Sequence, residues 1–439
     1  MTNHVLEVHP VLNDPVFGSM NFLNEIMREY PSAISFGPGA PNHAFRDDFS
    51  IPECLACFEE HLIEQTGCTA KDASNLLYDY GPSKGILNRL IADALAMDEG
   101  IDVAPSSIVV TVGAQEAMAL ALRALFRSPR DLLAVVTPCY VGIIGAAKAL
   151  GVDTVPIDET DNGLDLAGLA GAVAHARSQG SNIRALYVAP DFANPSGTII
   201  SRSAREQLLA LARKENFFIV EDTAYAFTAG VPDPTPSLKA LDTEHRVVQI
   251  STFSKIGSPA LRVGFVVADQ RTRNADGKDE FLADALGRLK SMISVNTSPI
   301  CQAVAGGMLL RHGGSIRALG RAKADFYRSN LQALIDALDH KLSPLVAEWP
   351  TIAWTRPEGG FFVRLKVPLE VDLNLLRRSA GEYGVIWTPM VSFHPAGGGR
   401  NEIRLSCSYL TREQIQVGTE RLASFLRAAC ASATQGSDP

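Results

Sequence analysis

The chain has 439 residues, 46% of them hydrophobic and 20% charged, which suits a folded protein with a sizeable core and two or three compact units. Its formal net charge of −8, with Lys and Arg scattered rather than blocked, speaks against a nucleic-acid surface or an anchor to anionic lipid. No apolar run reaches the ~18 residues that span a bilayer. The opening "MTNHVLEVHPVLNDPVF" lacks the basic start and apolar core of a secretory signal, so a cytoplasmic location is expected.

In chain order, the first 50 residues, including "SFGPGAPN" (35–42), show no sheet of their own and are expected to pack between two larger units. "ECLACFEEHL" reads as an amphipathic helix. Its Cys54 and Cys57 have no second pair and no histidine cluster, so structural thiols are expected and no metal site.

From residue 105 to 270, short apolar runs alternate with stretches of helical spacing. "SSIVVTVG" precedes "AQEAMALALRALF", and "LLAVVTPCY" precedes "VGIIGAAKALG". "TVPID", "IRALYVAP", "FFIVEDT", "VVQISTFS" and "RVGFVVAD" complete seven near-continuous apolar strands. Strands of this kind between helices predict a largely parallel sheet covered on both faces, an α/β fold. A helical stretch over 279–340 leads to a smaller α/β unit with strands in 352–368 and 401–410. The boundaries read as an N-terminal segment 1–50, a large unit 51–310 and a small unit 311–439. Within the last, "ASATQGSDP" is expected to be disordered.

Ligands of such sheets bind at the carboxyl ends of the strands. Gly113, Tyr140, Asn194, Asp222 and Lys255 sit there. Lys255, in "STFSKIGSPALRVGF", lies among small and apolar residues with Arg262 seven positions on. Desolvation and nearby cations lower a lysine's pKa and free the amine for Schiff-base chemistry. The aldehyde most often held this way is that of pyridoxal 5′-phosphate, which needs a phosphate cradle, a carboxylate at its ring nitrogen, a donor at its ring oxygen and a surface to stack on.

Each need has a candidate. Gly113, Ala114 and Gln115 open a helix whose free N–H groups favour an anion, and Arg262, Ser254 and Thr252 add a cation and two hydroxyls. Asp222 in "VEDTAY" could oppose a pyridinium nitrogen. At ~4 Å and an effective dielectric of ~20 the attraction is about 4 kcal/mol, a factor of about a thousand in proton affinity. Tyr225 and Asn194 could meet the ring oxygen, and Tyr140 could lie against the ring. Taken singly, each has an ordinary alternative: a packing glycine, a turn aspartate or asparagine, a core tyrosine, a surface lysine.

"NPSG", "EDTAY" and "STFSKIGSPALRVGF" together resemble the signature segments of class I/II (fold type I) pyridoxal-phosphate-dependent aminotransferases, and more closely the branch with the 2-aminoadipate and other broad-specificity enzymes. The resemblance covers about residues 30–425. It implies a fold type I transferase with a large seven-stranded domain, and Lys255 as Schiff-base lysine and proton shuttle. It also pairs Asp222 with the ring nitrogen and Asn194 and Tyr225 with the ring oxygen. Ala114, Gln115, Thr252, Ser254 and Arg262 would bind phosphate, with Tyr140 stacked on the ring. Arg404 in "NEIRLSCSY" matches the arginine that grips the substrate α-carboxylate, and Gly39 would let substrate pass close to the backbone. Tyr80 in "YDYGPSKG" matches a tyrosine that reaches the phosphate of the neighbouring subunit, which implies a homodimer with shared sites. Ala114 stands where relatives often have serine, removing one donor hydroxyl. "DPVFGSMNFLNEI", "VGAQEAM" and "FANPSGT" are similar to aminotransferases that make (S)-3,5-dihydroxyphenylglycine and related amino acids of peptide antibiotics, so an aromatic or bulky amino acid and a 2-oxo acid are the expected substrates. The same residues would also serve β-elimination, decarboxylation or amine oxidation. A regulator carrying a helix-turn-helix module is disfavoured, since about 30 residues precede the resemblance and the net charge is acidic.

Overall fold

The computed structural model describes residues 6–19, 21–46, 50–160, 163–229 and 234–435. Its N-terminal part holds α1 (Phe22–Glu29), β1 (Ile34–Ser35), α2 (Ile51–Thr66), α3 (Ala70–Tyr78) and α4 (Asn88–Glu99). The cysteine-bearing stretch is helix α2, as its spacing predicts. Ser50 caps it by accepting from the Glu53 N–H, and Gly67 ends it at φ 69°. Cys54 and Phe58 face inward from it.

The alternating region then runs β2 (Ile108–Thr111), α5 (Gly113–Leu125), β3 (Asp131–Thr137), α6 (Val141–Ala149), β4 (Thr154–Asp158) and α7 (Leu166–Ser178). It continues through β5 (Asn182–Val188), α8 (Arg202–Glu215), β6 (Phe218–Asp222), α9 (Leu238–Leu241), β7 (Val247–Thr252) and β8 (Gly264–Val267). These seven strands form one sheet, ordered β2-β8-β7-β6-β5-β3-β4. Only β8 runs antiparallel to its neighbours.

Both faces of this sheet are covered, which is why its strands are apolar throughout rather than alternating. Leu133, Val220, Val248 and Ile250 pack into one cluster, and Ala134, Ile219 and Val247 into another. Each fully buried Val, Leu or Ile contributes roughly 1.5–3 kcal/mol. The parallel arrangement brings the carboxyl ends of β3, β5, β6 and β7 to one edge, together with the turn from β2 into α5.

After β8 come a hairpin, β9 (Arg271–Arg273) and β10 (Asp279–Phe281), and the helices α10 (Leu282–Ser291), α11 (Pro299–Arg311) and α12 (Ile316–Glu348). The stretch expected to be helical from 279 therefore opens as a strand. Next are β11 (Ala353–Trp354), β12 (Phe362–Lys366), α13 (Leu373–Tyr383), β13 (Val385–Ile386), β14 (Thr388–Pro389), β15 (Glu402–Ser406) and α14 (Arg412–Gln435). A four-stranded sheet is ordered β11-β12-β15-β14. Helix α12 begins in the cluster beneath the large sheet, through Ile316 and Leu319, and ends in the small-unit cluster, through Leu338 and Leu345.

The first 50 residues have no sheet of their own; their β1 pairs in parallel with β13 of the small unit, Ile34 opposite Val385. Phe36 then packs with the small-unit cluster while Val16 packs with the large one. The "ASATQ" expected to be disordered is the last turn of α14, continuing a helix whose Ala429 and Cys430 are buried; residues 436–439 lie outside the described residues.

Candidate active site

At the carboxyl edge of the large sheet, facing the small unit, lies a cavity of about 490 Å³. Gly39, Ala114, Gln115, Tyr140, Asn194, Asp222, Tyr225, Thr252, Ser254, Lys255, Arg262 and Arg404 all line it. Residues from seven separate stretches of sequence thus meet in one chamber. Gly113 sits directly behind it. Tyr80 does not reach it and is 87% exposed at the surface of the chain.

Lys255 follows β7 in a turn closed by the Phe253 N–H to Val263 carbonyl bond of 3.0 Å. Its Nζ donates to the Gly39 carbonyl at 2.7 Å, and the Tyr327 hydroxyl donates to its own carbonyl at 3.0 Å. Burial lowers the amine to about 8, helped by the Arg404 and Arg262 guanidiniums, while Asp222 opposes the shift. The same loop returns Arg262, in left-handed backbone at φ 52°, to within 3.4 Å of the Ser254 hydroxyl. Thr252 donates to Ser254 at 2.9 Å. Opposite them, Gly113 (φ 74°) opens α5, and a β-carbon there would run into the Arg262 guanidinium. Glycine at 113 lets the cation lie across the helix N-terminus, where N–H groups lack intrahelical partners. The Gln115 side-chain amide is engaged elsewhere, donating to the Gly142 carbonyl at 2.8 Å, which leaves its backbone for an anion.

Asp222, at the end of β6, is 3% exposed and accepts from the Ala224 N–H at 3.0 Å and from the Tyr187 hydroxyl at 2.6 Å. Burial pushes its carboxyl upward against those donors and Lys255. Asn194 donates to the Tyr225 hydroxyl at 3.2 Å, and its own carbonyl oxygen accepts from Arg404 Nη1 at 2.7 Å. Burial raises the Tyr140 phenol to about 12 and Tyr225 further, so both are neutral donors.

Arg404 projects from the middle of β15. Its Nη2 donates to the Gly37 carbonyl at 2.6 Å and to the Thr388 hydroxyl at 3.2 Å, Thr388 being its cross-strand neighbour. Phe362 and Phe393 face the guanidinium at 4.6 and 5.3 Å. Nε is buried with no hydrogen-bond partner among the described residues. Among the described residues no aspartate or glutamate pairs with this cation, which burial lowers to about 10. A desolvated guanidinium without a counter-ion is a site for an anion.

Tyr187, Phe362, Thr388 and Phe393 belong to the site without having been singled out in the sequence. Tyr187 sits inside an apolar strand, and the other three lie in small-unit segments whose approach to the large sheet no local pattern announces.

Comparison with known proteins assigns this arrangement. The family model "Aminotransferase class I and II" matches residues 60–422. The chain belongs to the class I and II aminotransferases. It is 42% identical over 96% of its length to the (S)-3,5-dihydroxyphenylglycine transaminase of Amycolatopsis orientalis, 94% of which is covered. It is 30% identical to an aromatic-amino-acid aminotransferase of Thermococcus litoralis, over 79% of each chain. Among solved structures it superposes on an α-aminoadipate aminotransferase of Thermus thermophilus, complexed with N-(5′-phosphopyridoxyl)-L-leucine, with a TM-score of 0.75. That match has 27% identity and covers 93% of this chain and 95% of the other.

This aminotransferase is an enzyme of amino-acid transamination with the fold type I architecture and pyridoxal 5′-phosphate as cofactor. The residues present fit that group. A helix N-terminus flanked by Arg262 and two hydroxyls suits a phosphate, a buried carboxylate suits a ring cation, and a lysine lowered to about 8 suits an aldehyde.

Proposed function

We propose that the chain exchanges an amino group between an L-amino acid with a bulky, aromatic side chain and a 2-oxo acid. The observation that carries this reading is the pairing, in one cavity, of the depressed Lys255 amine with the buried, unneutralised Arg404. Arg404, whose Nε has no partner among the described residues, binds the substrate α-carboxylate and so points Cα toward Lys255. Lys255 Nζ, about half neutral near pH 8, takes the Cα proton as a general base and returns it one atom away. Asp222 would hold a proton at the ring nitrogen, Asn194 and Tyr225 would hydrogen-bond the ring oxygen, and Tyr140 would support the ring. Gly113, Ala114, Gln115, Thr252, Ser254 and Arg262 would hold the phosphate, and Gly39 would leave backbone room for substrate. When bound, pyridoxal 5′-phosphate supplies the carbonyl that receives the amino group and the ring that takes up the electrons of the broken Cα–H bond.

The aromatic preference is supported by an apolar wall of Phe22, Leu23, Met118, Val141 and Phe393, and by the substrates named for the two relatives. A role in making a nonproteinogenic amino acid such as a phenylglycine, as in peptide antibiotics, follows the Amycolatopsis likeness. The decisive measurement is a panel of L-amino acids scored by release of the matching 2-oxo acid. Phenylglycines, phenylalanine and tyrosine should exceed alanine and aspartate by at least about tenfold in kcat/KM, the range one hydrophobic pocket yields. Equal or better rates with aspartate would sink the aromatic assignment.

The working unit is proposed as a homodimer in which Tyr80 serves the partner's phosphate site. Tyr80 itself is 87% exposed, free to meet a second copy of the chain. Tyr80→Ala and Lys255→Ala chains, each poorly active alone, should regain up to about a quarter of parent activity when unfolded and refolded together. That is the yield when half the dimers are mixed and one of their two sites is intact. No recovery on mixing would separate Tyr80 from a shared site. Seven thiols without a disulfide among the described residues support the cytoplasm as its compartment.

A further inference from the structure

Asp222 lines the cavity, and its carboxylate is held by a tyrosine on the neighbouring strand. Tyr187 pairs with Val220 across the parallel β5–β6 ladder, so its phenol leans along the strand to the carboxylate two residues further on. The Tyr187 hydroxyl donates to Asp222 Oδ2 at 2.6 Å, and the Ala224 N–H donates to Oδ1 at 3.0 Å. Tyr187 is 3% exposed.

We propose that Tyr187 is a positioning residue for transamination: its hydrogen bond keeps the Asp222 carboxylate ionised and aimed at the cofactor's ring nitrogen. The proposal rests on the reading of Asp222 given above. A carboxylate in so dry a place tends to take up a proton. Burial is the largest influence on Asp222, and the Tyr187 donor is the largest one opposing it, ahead of the Ala224 N–H and Lys255. The titratable groups around Asp222 are Cys139 and Tyr140 after β3, Tyr187 on β5, Tyr225 after β6 and Lys255 after β7. Burial raises the thiol and all three phenols, so they stay neutral at working pH, and Lys255 is the one cation of the set. Only Tyr187 among these phenols donates directly to the carboxylate in the described structure. The bond also fixes the carboxylate's rotation, since each oxygen has its own donor.

Tyr187→Phe removes one oxygen and keeps the ring in its slot, so the cofactor-free variant should melt within a few degrees of the parent. Measured by equilibrium dialysis, its Kd for pyridoxal 5′-phosphate should rise about tenfold, the loss of one hydrogen bond to a charged group. Without the donor the carboxyl of Asp222 protonates more readily, so its ionised form is lost earlier as pH falls. The acid limb of cofactor retention should therefore move up by about one pH unit, and kcat should fall while KM for the amino acid holds. In an Asp222→Asn background, Tyr187→Phe should add nothing to either reading. A Tyr187→Phe protein with parental affinity and acid limb, beside an Asp222→Asn protein that has lost them, overturns the role of Tyr187 and leaves that of Asp222 standing. If Asp222→Asn itself retains the cofactor like the parent, the reading of Asp222 fails first.

Discussion

Lys255→Ala should lower turnover at least about 10⁴-fold, at the upper end of what one acid–base group contributes, while the cofactor-free protein melts no lower than the parent. Both halves follow from the same surroundings. In the native chamber the amine sits near two guanidiniums and little water, which lowers it from its usual 10.5 to about 8. That depression corresponds to roughly 3 kcal/mol against the charged form. The sign is fixed by linkage: a base depressed on folding destabilises the native state below about pH 8, and this penalty fades as pH rises toward 10.5. Removing the amine relieves the penalty at neutral pH and gives up the 2.7 Å bond to Gly39 and some alkyl packing. Catalysis has no such compensation, because among the described residues lining the cavity the other basic groups are Arg262 and Arg404, and neither offers a neutral amine. Turnover by 2-oxo acid release and unfolding by calorimetry, on the same preparations, separate the two effects. A variant that transaminates at the parental rate would remove Lys255 from the chemistry.

The large sheet is legible because its strands are buried on both faces and therefore spelled as unbroken apolar runs, whose ends stand out as soon as a polar residue appears. Asp222 and Lys255 are conspicuous for that reason. Tyr187 is hidden by the same code, since a tyrosine inside an apolar run reads as core until its hydroxyl is seen to have a partner. The small unit is written less clearly. Strands β1, β13 and β14 are two residues each, too short to show a period, and β1 finds its partner some 350 positions away. The run 352–368 breaks into β11 and β12 around Gly360, which adopts φ 71°. The alanine-rich end of α14 looks like a tail by composition, yet it extends a helix already anchored by Phe425 and Leu426. Tyr80 shows the limit most plainly: its surroundings in a single chain are mostly water, and any function for it requires a second copy.

Arg404→Ala should raise KM for the amino acid sharply and lower kcat/KM by about 2–5 kcal/mol, the loss seen when one member of a buried charge pair is truncated. Arg404 is held in place before any substrate arrives, by Asn194, Gly37 and Thr388 on its nitrogens and two phenylalanines at its faces. Such preorganisation means that little side-chain entropy remains to be lost on binding. Alanine removes both the charge and the fork, and it also frees the Asn194 carbonyl oxygen, so kcat should fall as well through the Asn194–Tyr225 pair. Arg404→Lys tells the contributions apart. A lysine keeps a point charge but cannot match a carboxylate with two parallel N–H bonds, so it should recover only part of the affinity. The folded state loses little in either variant, because a buried cation with no carboxylate partner contributes scant stability of its own. KM unchanged in the alanine variant, with the melting temperature also unchanged, would place the substrate carboxylate elsewhere in the cavity. A fall in kcat alone would leave Arg404 as a support for Asn194 rather than a binding group.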